Sequence, residues 1–369
     1  MFDEYKGCDK ILYFLQGGGA LGSYQVGVCE RLLEHGLAPD WIIGTSIGAI
    51  NAAILVGNKP EERMSKLKQF WDTITIHFPI IPEPKTEDFD VVRQWKNYLS
   101  AQWVTLFGNP NFFTPRGVSP WLSYNSTPDK ISFYDVSEFR KTLQDFTNFD
   151  IINEKKVRLT LSAVCIEEGA LTHFDNTHQE ITIDHVLASC ALPPAFPAIT
   201  IDGKSYWDGG VSANTPFNIV LEEKLPNSIL CIMVNLFPSS SKLPKSMIEI
   251  LGRKKEIEYS SHYKEVISQL TNLHRLQHAI HVVCENSDIC KVNPELKSVV
   301  EAAHPTRLNV VRFQYCSPAY DLWSKDFEFS EESLQEHYKA GLKDVEKALK
   351  DPSWLEPMPK DVGIQLKEF

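Results

Sequence analysis

Apolar residues in this chain come in short dense runs punctuated by glycine. Ile11-Leu12-Tyr13-Phe14-Leu15 does not alternate with polar residues, which predicts a strand covered on both faces. The glycine-rich residues 16–22 follow, and then Tyr24, Val28, Leu32 and Leu33 recur near one helical face, with Gly36 as the C-cap. The scheme repeats with Trp41-Ile42-Ile43, a sharp turn, and the helix-like run from Ala49 to Leu55. Two strand–helix units in succession predict a parallel sheet. Further strands are expected at 157–164, 171–174 and 229–236, with one at 310–313 near the sheet edge.

Other stretches read differently. Residues 71–124 mix many aromatic side chains with six prolines. They read as a hydrophobic cluster over the core, part of which serves as a lid or as the wall of an acyl pocket. Residues 254–281 carry Ile257, Ile267, Leu270, Leu273 and Leu276 near helical spacing, which predicts an ordinary surface helix in preference to a membrane-contact one. A second amphipathic helix is expected over 331–349, capped near Ser330, and the tail from 351 reads as an extended strap.

The net charge of −11 argues against nucleic-acid binding and against purely electrostatic docking on anionic membranes. Lipid contact would therefore rest on apolar and aromatic side chains. No run approaches the roughly 18 apolar residues that span a bilayer. The first six residues lack the basic-then-apolar order of a secretory signal, and the eight cysteines lack metal-ligand spacing. The expectation is a chain with free thiols in a reducing, cytoplasmic compartment, with room for peripheral membrane contact and for export by a signal-independent route. Nothing calls for a metal or a cofactor.

The chemistry concentrates at Gly44-Thr45-Ser46-Ile47-Gly48. A serine between a strand and a helix, with Gly44 and Gly48 relieving the crowding, forms a nucleophile elbow. The bland alternative is a turn in which Ser46 only caps the helix. Upstream, Gly17, Gly18 and Gly19 leave bare backbone whose N–H groups suit an oxyanion or a phosphate. Residues 17–22 also satisfy Gly-x-Gly-x-x-Gly, but Asp40 precedes the second strand where a dinucleotide fold needs an acid at its end. Downstream, Asp208-Gly209-Gly210 is by itself a turn. Beside a serine elbow, however, Asp208 becomes a candidate base that could take the serine proton directly.

In their order, the Gly17–Gly22 loop, the Ser46 elbow, the block from Ala188 to Pro197 and Asp208-Gly209-Gly210 resemble the patatin-like phospholipase family. The resemblance covers residues about 11 to 220. It implies a three-layer α/β/α sandwich around a mainly parallel sheet, with an aromatic-rich insertion (about 71–125) in a catalytic unit over 1–240. Residues 241–369 would form a helical extension packed on that unit, similar to a bacterial subgroup with a Trp- and Pro-containing tail. The implied activity is lipid acyl hydrolysis, of phospholipase A or lysophospholipase A type. Its Ser46–Asp208 dyad would act with Gly17, Gly18 and Gly19 as oxyanion donors, and Gly22, Gly44, Gly48, Gly209 and Gly210 would support the motifs. The implied substrate is a phospholipid or lysophospholipid. Two positions depart from the family pattern: Gln16 stands where Asp is common, and Leu21 where Arg or Lys is common.

Three rivals follow from the same residues. A Ser–His–Asp esterase would draw its base from His262, His274, His278, His281 or His304. A lipid-binding pseudoenzyme would keep the fold without turnover, and a nucleotide-binding module would use the glycine loop alone. Asn214 is expected to brace the Asp208 loop, on proximity in the chain.

Overall fold

The structure is a computed structural model and describes residues 7–77, 89–123, 126–223, 225, 227–260, 263–286, 296–301, 303–318 and 320–369. Strand β1 (Lys10–Leu15) leads through the glycine loop into helix α1 (Gly22–Glu34), and β2 (Trp41–Thr45) into α2 (Ile47–Val56). Then come α3 (Arg63–Ile74), α4 (Phe89–Phe107), the short pair β3 (Thr114–Pro115) and β4 (Tyr134–Asp135), α5 (Ser137–Phe146) and α6 (Phe149–Asn153). Strands β5 (Arg158–Cys165) and β6 (Ala170–Asp175), helix α7 (Ile183–Ser189), and the hairpin β7 (Ile199–Ile201) and β8 (Lys204–Asp208) follow. Next are α8 (Asn218–Glu222), β9 (Ser228–Asn235), α9 (Met247–Tyr259), α10 (Tyr263–Asn286) and α11 (Lys297–Glu301). The described chain closes with β10 (Arg307–Gln314), α12 (Glu331–Leu349) and β11 (Ile364–Glu368).

The main sheet runs β11-β10-β9-β1-β2-β5-β8-β7, with β6 also paired to β5. From β11 to β5 neighbouring strands are parallel, and β6, β7 and β8 add antiparallel pairs at the other side. This is the mainly parallel α/β architecture that the strand–helix alternation predicts. The unalternating run in β1 is explained by its neighbours. Ile11, Tyr13 and Leu15 pack into the core under α1 and α2, whereas Leu12 and Phe14 pack into the core on the opposite face. Both faces of the strand are therefore dry, and no position favours a polar residue.

Residues beyond 240 supply helices and also two strands. Strand β10 pairs with β9, and the tail, expected as a strap, becomes the edge strand β11 after a short 3₁₀ turn over Pro352–Leu355. Helix α12 matches its expected bounds, and the Ser330 side chain accepts the Ser333 N–H at its start. It crosses α1 at very short range, because a Cβ on Gly27 would run into the Tyr338 carbonyl and one on Gly341 into that of Tyr24.

The helix expected over 254–281 is two helices. Its first part ends at Tyr259, whose carbonyl accepts the side-chain amides of Gln16 and Asn214 at 3.3 Å each instead of continuing the helix. In the second part, Ile267, Thr271, His274 and His278 form the buried stripe, while Leu273 and Leu276 face outward. The cysteines depart from expectation at one place. Cys29, Cys165 and Cys231 are free and buried as foreseen, but Cys284 is disulfide-bonded, which spacing alone could not indicate. No helix among the described residues is long and apolar enough to cross a membrane.

Candidate active site

Ser46 sits where β2 gives way to α2, with φ 55° and ψ −126°. A non-glycine residue rarely adopts a positive φ, and such strain persists only when its surroundings enforce it. They do so here. A Cβ on Gly48 would strike the Leu15 carbonyl oxygen, so α2 starts flush against the end of β1. The Ser46 N–H donates to the carbonyl and the hydroxyl of Ser189, at 3.1 and 3.2 Å. The Ser46 carbonyl accepts the N–H groups of Ala49 and Ile50 and the Cys190 thiol. The Ser46 side chain makes no capping bond to the helix. The capping alternative therefore fails, and the hydroxyl is left to face a cavity.

Sheet register brings Asp208 to the serine. Thr45 lies level with Ser162 on β5, and Ala163, the next residue of β5, lies level with Asp208 on β8. The end of β8 is thus held one strand away from the end of β2, although 162 positions separate the two residues in the chain (208 − 46). The block from Ala188 to Pro197 ties them together: Ser189 and Cys190 bind Ser46, and the Ala191 carbonyl accepts the Asp208 N–H at 3.0 Å.

The Asp208 carboxyl is buried. Its Oδ1 accepts the Gly210 N–H at 2.7 Å, while Oδ2 has no well-aligned hydrogen bond. Burial pushes its pKa up from 3.8 to about 7, and the Ser46 hydroxyl and the Gly210 N–H pull weakly the other way. The hydroxyl thus faces the carboxyl without the tight alignment of a formed bond, as is common before substrate arrives. A carboxyl that titrates near neutrality is a far better base than a solvated one.

The glycine loop completes the arrangement. Gly19 has φ 54°, and a Cβ there would collide with the Asp326 carbonyl. Gly17 packs directly against Ser46, but its N–H donates to Asn214 Oδ1 at 2.9 Å, and Asn214 Nδ2 donates back to the Gly17 carbonyl. Of the three glycines expected as oxyanion donors, Gly17 therefore has its amide engaged. No hydrogen bond occupies the N–H of Gly18 or Gly19 among the described residues, and both line the cavity with Ser46. Asn214, expected to brace the Asp208 loop, bonds both polar groups of Gly17 and the Tyr259 carbonyl, and its side chain packs close against Gly210 of that loop.

The two departures from the family pattern have structural accounts. Gln16 is buried, and its Oε1 accepts the N–H groups of Leu236 and Phe237, which an ionised Asp is too short and too costly to replace. Its carbonyl accepts from Gln25, which leads through Asn51 to the Trp71 indole in a buried polar chain beneath the loop. Leu21 is buried in the main core, where a cation would have no partner.

The cavity has a volume of about 290 Å³. Ser46, Asp208 and the glycine loop form one end, and the walls are mostly apolar. Val104, Thr105, Phe112 and Phe113 reach it from the aromatic-rich insertion, as the sequence pattern anticipates for part of that segment. Sequence reasoning missed the contribution of the later chain, which supplies Lys255, Tyr259, Asp326, Phe327 and Phe329. No local signal marks these residues, because their role depends on where α9 and the turn before α12 dock. Lys255 donates to Asp326 Oδ1 at 2.6 Å, so the one cation lining the cavity among the described residues is already paired.

No histidine lines this cavity among the described residues. His274 and His278 instead bond backbone carbonyls of the later chain, His304 bonds that of Glu223, and His281 pairs with Glu285. His262 lies outside the described residues. Asp40 accepts the Ile11 N–H at the opposite end of the strands from the glycine loop, far from any nucleotide ribose that loop could hold.

A family model for patatin-like phospholipases matches residues 13–221, more than half of the chain. The chain belongs to the patatin-like phospholipase family. A second family model, described as patatin phospholipase, matches residues 257–361, so the later chain that lines the cavity is also family material. This patatin-like chain is 25% identical over 290 residues to triacylglycerol lipase 4 of Saccharomyces cerevisiae, covering 73% of this chain and 28% of that protein. It is 34% identical over 194 residues to triacylglycerol lipase ptl3 of Schizosaccharomyces pombe, covering 51% and 34% respectively. The chain thus spans about a third or less of the length of these curated relatives. Among solved structures it is similar to VipD from Legionella pneumophila, at 14% identity and a TM-score of 0.40 over 97% of this chain and 72% of that one. ExoU from Pseudomonas aeruginosa, in complex with SpcU, gives 13% identity and a TM-score of 0.28 over 81% and 68%. Likenesses that distant carry no argument about function.

Proposed function

We propose that this protein hydrolyses carboxylic esters of glycerolipids through a Ser46–Asp208 dyad. The observation that carries the reading is the strained Ser46 at the end of an apolar cavity, facing a buried carboxyl lifted to about 7. Asp208 accepts the Ser46 proton as Ser46 Oγ attacks the ester carbonyl. The developing oxyanion takes hydrogen bonds from Gly18 and Gly19 N–H, each typically worth about 3 kcal/mol in the transition state. The alcohol leaves with the proton returned by Asp208, and a serine ester remains. Water, deprotonated by Asp208, then releases the fatty acid and restores Ser46.

Phospholipase A or lysophospholipase A chemistry is the first reading of the substrate. Triacylglycerol hydrolysis is the second, favoured by the relatives' names and by Lys255, which is paired with Asp326 instead of awaiting a phosphate. The test is fatty-acid release from lysophosphatidylcholine, phosphatidylcholine and triolein, wild type beside Ser46→Ala. Release that vanishes with Ser46→Ala supports the dyad, and the best substrate decides between the two readings. Equal release from both proteins would refute it.

A further inference from the structure

Helix α4 is inside out. Its inward stripe is Arg93, Asn97, Ser100, Ala101 and Val104, at helical spacing and fully buried. Arg93 is 2% exposed and is held by Glu332, Glu336 and Ser333 at the start of α12. The outward side carries Trp95 (44% exposed), Trp103 (43%), Leu106 (65%) and Phe107 (56%). Further along the same insertion, past β3, Trp121 is 80% exposed and Leu122 70%. An ordinary surface helix has the reverse arrangement, and large apolar side chains exposed together along one helix side mark an interaction surface.

We propose that the outward face of α4 seats this protein on an uncharged or zwitterionic lipid surface, with the mouth of the Ser46 cavity opening into it. The proposal rests on the acyl-hydrolase reading and deepens it. Three observations select lipid as the occupant. The face adjoins the cavity, since Thr105, an exposed residue of the same helix, lines it. The cavity is small, at about 290 Å³ beside the range of about 300–1,000 Å³ usual for small-molecule sites, and so is too small to enclose a whole diacyl lipid. The rest of the substrate must therefore remain in its own phase while the ester reaches Ser46, which requires the mouth to rest on that phase. Charge decides what kind of surface it is. Helix α4 carries only Asp90 and Lys96 besides the buried Arg93, and the whole chain is at −11, so anionic lipid gains nothing electrostatically. Buried polar anchors keep the helix on the protein while tryptophan and phenylalanine enter the interface, where such rings partition well.

The experiment uses the full chain carrying Ser46→Ala, so that binding is read without turnover. Sedimentation with phosphatidylcholine vesicles is compared for this protein and for the same protein with Trp95→Ser, Leu106→Ser and Phe107→Ser added. Far-UV circular dichroism confirms that each folds. Binding to phosphatidylcholine that falls about tenfold in the multiple variant, with no gain when a third of the lipid is phosphatidylglycerol, supports the proposal. In the active enzyme the three serine substitutions should preserve hydrolysis of p-nitrophenyl butyrate within about twofold and lower fatty-acid release from vesicles about tenfold. Intact p-nitrophenyl butyrate hydrolysis with no vesicle binding would overturn the lipid seat and leave the hydrolase reading standing. A dimer in sedimentation velocity that the serine substitutions dissolve would also overturn it, by showing that a second copy covers the face.

Discussion

Replacing Asp208 by Asn should alter stability in a way that depends on pH, with a sign fixed by the burial of the carboxyl. The unfolded chain ionises this group near 3.8, whereas the folded protein holds the proton up to about 7. Stability that the protonated carboxyl permits is fully present below pH 3.8 and is lost as pH rises through about 7. The whole gap corresponds to roughly 4 kcal/mol at about 1.4 kcal/mol per pH unit. At pH 5 somewhat under 2 kcal/mol of this loss has developed, and at pH 8 nearly all of it. Asn cannot ionise, and any packing cost it brings is the same at both pH values. Between pH 5 and pH 8 the variant should therefore gain on the wild type by about 2–3 kcal/mol. Urea unfolding at the two pH values, with a common m-value, measures the quantity directly. A wild type–variant difference that stays constant across this range would refute the elevated carboxyl, and with it the case for Asp208 as a base. If Asp208 is the base, the variant should meanwhile lose nearly all turnover.

On a soluble short-chain ester, kcat/KM of the wild type should rise about tenfold per pH unit below 7 and level off above it, since the base acts only when deprotonated; a flat profile from pH 5 to 8 would count against Asp208. Asn214→Ala leaves both polar groups of Gly17 without their partner, at a cost of about 1–3 kcal/mol per buried group. If Asn214 acts by positioning the glycine loop, that variant should lower kcat about tenfold or more with little change in KM, and Asn214→Asp should fail to restore it because the donor to the Gly17 carbonyl is gone.

The strands and the two loops were legible because each is governed by local chemistry. A run such as Ile11 to Leu15 has no stable place except between two apolar layers, and β1 lies between them. Ser46 between Gly44 and Gly48 could be read as an elbow because only a tight strand-to-helix turn needs that spacing of small residues. Ser330 marks the start of α12 for the same reason, since a cap bond spans three residues. The engagement of the Gly17 amide could not be read, because its partner stands 197 residues away. Nor could the division of residues 254–281 into two helices, which depends on side chains from two distant loops capturing the Tyr259 carbonyl.

The sequence by itself determined which segments are strands, where the serine elbow and the glycine loop lie, and that the chain is a patatin-like α/β protein. Those are matters of backbone sterics and of hydrophobic period, which act over a few residues. Only the tertiary structure decided that Asp208 faces Ser46, that residues 255–329 help wall the cavity, and that α4 turns its polar stripe inward. Register across β2, β5 and β8 sets the first, docking of the later chain the second, and ion pairs between Arg93 and α12 the third. Periodicity tells which residues share a helix face, but which face meets the core depends on what the rest of the chain offers it.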